Sequence, residues 1–299
     1  MHLAIITEGS LVENSPSAME LPKEIEIVNI KPTAACIQNY DPCTCNTDSD
    51  GISINCVADS VIAIQEIFRR TTDPKIYRFY SSLKYSTNFL VPPDFLADKV
   101  VTNIDLSGNY RKNISIDPLA FRYTEKNTTS FTLEGFDISL LDFNFLRPFD
   151  YLTRLGIFGL YNLQSFQYLP PLPSLTILEI TNCYNLSIET YFPNLTPAKL
   201  ERLYLPENRL DDNGVKAIME SVASSSARSS LKEIILRTNE LTTFPSLQSF
   251  TSLNYLDVDY NSITRILQSS LVFSSQMSYL SVVKNNITSI ESGAFSRGK

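Results

Sequence analysis

Histidine is almost missing from this chain of 299 residues; its single copy, His2, stands at the very start. That removes most imidazole acid–base chemistry and most histidine-ligated metal centres. Tryptophan is absent. No apolar run approaches the roughly 18 residues that a membrane-crossing helix needs, so the chain holds no candidate transmembrane segment. Positive charge is in the minority, 25 Lys and Arg against 32 Asp and Glu, for a net charge of −7. A nucleic-acid binder carries the opposite sign, so no nucleic-acid partner is expected. Nucleotide fingerprints are lacking too. Gly156 and Gly159 do not stand at a strand-to-helix turn, and Arg297-Gly298-Lys299 is no phosphate loop. No cofactor, metal or catalytic residue is therefore expected, and the chain reads as a non-enzyme. With 43% apolar and 19% charged residues, disorder of the whole chain is also excluded.

What is present is repetition. From residue 101 onward a frame recurs: apolar, two residues, apolar, one residue, apolar, then two residues and often Asn. Its clearest copies are Leu200, Leu203, Leu205, Asn208; Leu231, Ile234, Leu236, Asn239; Leu253, Leu256, Val258, Asn261; and Met277, Leu280, Val282, Asn285. Val101, Ile104, Leu106 and Asn109 form an earlier copy, and Thr128, Phe131, Leu133 and Phe136 a looser one. Two more put Leu160 and Cys183 at the Asn place, and a degenerate copy starts at Ile76 with Phe79. The eight firm starts (101, 128, 152, 175, 200, 231, 253 and 277) are 22 to 31 residues apart. That matches the roughly 20–29-residue leucine-rich repeat. One short strand per unit points alternate residues inward, and no unit can bury its apolar face alone, so the units must stack. The inward Asn can hydrogen-bond backbone groups where the chain leaves the ladder. The expected fold is an α/β solenoid, a leucine-rich-repeat horseshoe with one short parallel strand per repeat and a mostly irregular convex side.

One repeat is longer. Asp211, Asp212 or Asn213 can cap a helix in which Val215, Ile218, Met219 and Val222 share one face. A helix is expected near 212–223, as in the longer repeats of ribonuclease-inhibitor type. Ser221–Ser230 is expected to be a flexible loop.

Four of the five cysteines precede the repeats: Cys36, Cys43, Cys45 and Cys56, spaced C-x6-C-x-C-x10-C. Taken alone, four cysteines allow three connectivities. A zinc site would need C-x2-C pairs or a nearby histidine. The cluster resembles the N-terminal cap of extracellular leucine-rich-repeat proteins, and that resemblance implies Cys36–Cys45 and Cys43–Cys56 bridges, with Cys183 free. The cap, the following IYRFYSSLKYSTNFLVPPDFL and the irregular Asn-x-Leu/Ile repeats together resemble arthropod secreted proteins. These are often labelled as similar to the non-catalytic subunit of Oplophorus-luciferin 2-monooxygenase. The resemblance implies an accessory role without catalysis and a secreted or cell-surface location.

The domain expectation is a leader at 1–35, a disulfide cap at 36–75, and about eight to nine repeats over 76–299, truncated at the C-terminal side or ending on an exposed repeat edge, with no cysteine cap after them. The start lacks the apolar core of a signal peptide, so 1–35 is read as disordered or as the product of a wrong or missing first exon. Five glycosylation sequons stand at Asn113, Asn127, Asn185, Asn194 and Asn286.

Residues between the inward positions should face the concave sheet. One column holds Arg202, Glu233, Tyr255 and Tyr279, the next Glu179, Tyr204, Ile235 and Asp257, and a third Arg237 and Asp259. Tyr and Arg favour binding hot spots, so Arg202, Tyr204, Ile235, Arg237, Tyr255, Asp257, Asp259 and Tyr279 are the candidate partner-binding set. Asp257 and Asp259 could also hold a cation weakly, though a solvated face is the plainer reading. Three functions compete: a recognition or scaffold module for a protein partner, a non-catalytic subunit of an oxidative enzyme complex, and a cytosolic inhibitor of ribonuclease-inhibitor type.

Overall fold

A computed structural model describes residues 36, 43–47, 49–58, 60–71, 75–83, 89–108, 112–139, 141–160, 169–183, 199–268 and 277–294, and the backbone of 2–4. In chain order the elements begin with β1 (His2–Ala4), β2 (Cys43–Thr47), β3 (Ile52–Val57), α1 (Val61–Arg70) and β4 (Lys75–Ser82). β5 (Phe89–Val91), β6 (Val100–Ser107), β7 (Ile114–Ile116), β8 (Ser130–Glu134), β9 (Arg154–Phe158) and β10 (Ile177–Thr181) follow. The last are β11 (Arg202–Tyr204), α2 (Asp212–Ser224), β12 (Glu233–Ile235), β13 (Tyr255–Asp257), β14 (Arg265–Ile266), β15 (Tyr279–Ser281) and β16 (Ser289–Ile290).

Among the described residues one twelve-stranded sheet runs in the order β1-β15-β13-β12-β11-β10-β9-β8-β6-β4-β3-β2. Only its β2–β3 pair is antiparallel. From β3 to β15 each strand lies parallel to the next, as separate stacked units require. The registers carry one inward column through Ile54, Phe79, Ile104, Phe131, Leu155, Leu178, Leu203, Ile234, Leu256 and Leu280. Every member is buried. The chain is a leucine-rich-repeat solenoid, and its frame is the one in the sequence.

The asparagines close the turns. Asn239 Oδ1 accepts the Asn208 and Leu210 N–H groups, while its Nδ2 donates to the Leu205 and Leu236 carbonyls. Asn261 and Asn285 repeat this step one and two turns on. Asn208 serves Cys183 N–H and Ile180 carbonyl on its other side. Cys183, at the Asn place of its own repeat, is buried and free of any disulfide, and its thiol points at the Thr181 and Ile157 carbonyls. Burial pushes that thiol up to about 12, which keeps it protonated and unreactive. Asn109 lies outside the described residues.

The N-terminal half is filled differently. Phe68, Phe79, Phe95, Phe121 and Phe131 form a run of edge-to-face rings between neighbouring repeats, with centroids 5.1 to 6.2 Å apart. Gly108 is required there: a Cβ would stand 2.1 Å from the buried Phe136 ring.

At the cap end β2 and β3 form a hairpin bridged by Cys43–Cys56, and Cys36–Cys45 ties the preceding chain to it, as the family resemblance implies. The helix α2 has Asp211 as its N-cap, accepting the Gly214 N–H, and buries Val215, Ile218, Met219 and Val222. Three features depart from expectation. The stretch 221–230 is no flexible loop: α2 continues to Ser224, and Ser226–Ser229 turns as a 3₁₀ helix. Ser225 caps that turn by accepting the Ala227 N–H, and its own hydroxyl donates back to Val222 carbonyl. Second, α1 was not foreseen, although Val61, Ile64 and Phe68 are buried on one face of it. Third, the convex side carries two short parallel pairs, β5–β7 and β14–β16. Within the 1–35 stretch, His2–Ala4 lies parallel to Tyr279–Ser281 at the far sheet edge; residues 5–35 lie outside the described residues.

Candidate concave recognition face

Side chains that alternate with the buried column stand on the concave face. Pairing through β11, β12, β13 and β15 aligns Arg202, Glu233, Tyr255 and Tyr279, and beside them Tyr204, Ile235, Asp257 and Ser281. Glu179 pairs with Tyr204 across β10 and β11. Thr238 N–H donates to the Asp259 carbonyl, which carries the alignment beyond the strands and sets Arg237 beside Asp259. The structure therefore gathers all eight candidate residues on one surface.

They are not equivalent. The Tyr255 and Tyr279 rings stack with centroids 4.3 Å apart and planes 7° off parallel. Burial and the neighbouring tyrosine push the Tyr255 phenol up to about 12. The Tyr204 hydroxyl donates to Glu233, which also pairs with Arg202 at 3.5 Å. Burial, then the Glu233 carboxylate, raises the Tyr204 phenol well above its usual range. These three tyrosines are half-buried, with two of their rings held rigidly face to face. Such rings lose little conformational entropy when a partner covers them. Arg237 is exposed, whereas Ile235 is half-buried between Tyr204 and Asp257 rather than fully exposed.

The acidic pair is not a solvated face. Asp257 is only 7% exposed and accepts the Asp259 N–H at 2.9 Å. Asp259 Oδ1 accepts the Ser281 hydroxyl and the Val283 N–H, each at 2.6 Å. Oxygens so engaged brace the sheet edge, and among the described residues no group of three or more potential metal ligands converges anywhere. Burial, with the Asp259 charge adding to it, raises the Asp257 carboxyl, against the Asp259 N–H and Arg237, which lower it. A carboxyl raised on folding favours the fold below its unfolded value of about 3.9 and loses that contribution as pH rises through its folded value. Ionised Asp257 thus weakens the fold at neutral pH. Asp257→Asn is expected to melt at a higher temperature than the native protein at neutral pH, with the gap closing below the unfolded value. Thermal melts across that range check this; a native protein that is the more stable at neutral pH would contradict it.

The concave columns also extend back through the first half of the solenoid, to Tyr80, Asp105, Thr132 and Gly156 and, in parallel, Arg78 and Arg154. The same frame applied to the earlier repeats reaches them, yet their weak Leu and Asn signals leave them out of the sequence-based set. A cavity of about 510 Å³ opens on the convex side between α2 and the 241–250 segment. Its apolar wall consists of side chains already committed to the core, among them Val215, Met219, Leu241 and Phe250. Of the sequons, Asn127 and Asn286 are exposed, Asn113 is half-buried with its amide oxygen near the Ser139 hydroxyl, and Asn185 and Asn194 lie outside the described residues.

No family model matches the chain. Over 91 residues it is 35% identical to the protein phosphatase 1 regulatory inhibitor subunit PPP1R7 homolog of Arabidopsis thaliana, a span of 30% of this chain and 26% of that protein. The chain thus matches about a quarter of the length of this curated relative. Among solved structures, the Toll–Spätzle complex of Drosophila aligns over 77% of this chain and 29% of the matched chain, with a TM-score of 0.54 and 20% identity. A leucine-rich-repeat protein of Leptospira interrogans aligns over 77% of this chain and 76% of its own, with a TM-score of 0.28 and 13% identity. The first of these structures supports the fold and nothing finer.

Proposed function

We propose that the chain is a non-enzymatic recognition module, secreted or displayed at the cell surface, that binds a protein partner on the C-terminal half of its concave face. The observation that carries this reading is the Tyr255–Tyr279 stack with Tyr204 and Arg237 around it. It forms a preorganised aromatic patch on the concave face. Both flanking acids are spent on the sheet, so Tyr204, Ile235, Arg237, Tyr255 and Tyr279 supply the contact, with Arg202 held in place by Glu233. Two bridges in the cap favour an oxidising compartment.

A second reading is an intracellular regulatory subunit, favoured by the 91-residue likeness to a phosphatase regulatory subunit homologue. A non-catalytic subunit of an oxidative complex is a narrower form of the first reading, without an observation of its own. The test is capture of partners from native extracellular fluid and, separately, from cell extract, using native protein and variants at the face. Tyr255→Ala and Arg237→Ala are each expected to lower affinity for an extracellular partner about tenfold or more, the effect of losing a hot-spot side chain. Full affinity in both variants, with convex substitutions abolishing capture, would remove the concave site. Four free thiols in carefully alkylated native protein, with capture only from cell extract, would favour the intracellular reading.

A further inference from the structure

The concave face has a hollow nearer the cap than the tyrosine stack. It encloses about 370 Å³ over β4, β6, β8 and β9, between Tyr80, Thr132, Glu134 and Phe158, with Arg78 and Arg154 on its margin. Its charges can be assigned pair by pair. Arg78 Nε donates to Asp105 Oδ2 at 2.7 Å, so these two cancel within the hollow. Arg154 Nη2 donates to Glu179 Oε2 at 2.7 Å and is neutralised from the next strand. Glu134 remains. It is exposed, and its carboxylate has no ion-pair or hydrogen-bond partner among the described residues. The residual charge of the hollow is one carboxylate.

An aromatic ring stands beside it. Glu134 and Phe158 are register partners across β8 and β9. Phe158 does not extend straight out from its strand. Its ring leans back over Gly156, so that a Cβ there would lie 2.6 Å from Phe158 Cε2 and 3.3 Å from Thr132 Oγ1. The missing side chain at 156 is what lets the ring lie over the floor of the hollow. A lone carboxylate with an aromatic ring on the neighbouring strand, and both arginines of the hollow already paired, is complementary to a cation rather than to an anion or a neutral group.

We propose that this hollow is a second contact point, which receives a basic side chain, lysine or arginine, of a protein partner between the Glu134 carboxylate and the Phe158 ring. It rests on the reading that the concave face binds protein, and adds that the partner presents a cation about five strands away from the tyrosine stack. At roughly 4.8 Å per strand that is on the order of 25 Å, so one partner domain can span both. The attraction is electrostatic and partly exposed, so it weakens as salt is raised.

The full-length, ¹⁵N-labelled protein can be titrated with a capped pentapeptide, Gly-Ser-Lys-Ser-Gly, and with the same peptide carrying Nε-acetyl-lysine. Saturable shifts at the Gly156, Thr132 and Glu134 amides are expected with the lysine peptide and not with the acetylated one. Glu134→Gln should weaken the response at least fivefold. Gly156→Ala, which displaces the Phe158 ring but keeps the carboxylate, should weaken it likewise. An equal response to the acetylated peptide, or an undiminished response in Glu134→Gln, overturns the cation site. Tyr255→Ala serves to separate the two claims. If it lowers partner capture while Glu134→Gln leaves the lysine-peptide response intact, only the second contact point falls. If the peptide titration succeeds and Tyr255→Ala captures partner fully, only the tyrosine site falls.

Discussion

Leu256→Asp is expected to unfold the repeats around it. Leu256 is fully buried, in register with Ile234 on one side and Leu280 on the other. Truncation to alanine at such a site already costs about 2–5 kcal/mol. Aspartate adds a carboxylate between the buried apolar register partners Ile234 and Leu280, and burying a charge without a partner belongs to the most damaging class of substitution, on the order of 4 kcal/mol or more. Stability in a solenoid is a sum of nearest-neighbour terms, so the damage should centre on β12, β13 and β15 and fade toward the cap. Amide exchange should report that gradient, with protection lost at Ile234, Leu256 and Leu280 before Ile104 or Phe131. The adjacent Tyr255 stands on the other side of the strand, half-buried, and Tyr255→Asp should cost far less. A one-residue slip of the frame would reverse the two results, so Leu256→Asp with native thermal stability would refute the register itself.

That register is legible because strand periodicity and repeat length reinforce each other: spacing places the inward residues of β6, of β8 to β13 and of β15. The reading was weakest where the repeat departs from leucine and asparagine. In the first half, Phe79, Phe95, Phe121 and Phe131 fill the same interior with rings, and a frame built on Leu and Asn underrates them. The face of α1 is legible as Val61, Ile64 and Phe68, preceded by Ser60, but it lies between the cysteines and the first copy, where no repeat frame reaches it. Asp257 shows a different limit. Its place on the concave side followed from alternation, whereas its burial follows from the Asp259 N–H and the neighbouring turn, which no spacing reveals. Likewise the lean of Phe158 over Gly156 depends on one absent Cβ seen only in three dimensions.

The asparagine ladder offers the other large effect. Asn239 is the best connected of its members, since its carboxamide accepts two N–H groups, from Asn208 at 3.2 Å and Leu210 at 2.9 Å, and donates to the Leu205 and Leu236 carbonyls at 2.9 Å each. The Leu236 carbonyl also accepts from Asn261 Nδ2 at 3.0 Å, but the other three are backbone groups at the turn that depend on this one side chain. Asn239→Leu keeps the branched four-atom side chain but leaves the Asn208 and Leu210 N–H groups and the Leu205 carbonyl unpaired in a dry interior, while the Leu236 carbonyl keeps Asn261 Nδ2. Each orphaned buried group costs about 1–3 kcal/mol, and even with one or two rescued by relaxation or water the loss should reach about 3–5 kcal/mol. Asn285 supplies a control of the same chemistry. It is half-buried, it accepts only the Ile263 N–H among its side-chain acceptor contacts, and water can reach its turn, so Asn285→Leu should cost no more than about 1–2 kcal/mol. Asn239→Cys reproduces the arrangement at Cys183, where a thiol points at the Thr181 and Ile157 carbonyls. It retains a weak donor and loses the acceptor, and should fall between the two. Urea unfolding of the three variants orders them; equal stability of Asn239→Leu and Asn285→Leu would mean that the side-chain carboxamides do not hold the turns and that strand pairing alone does.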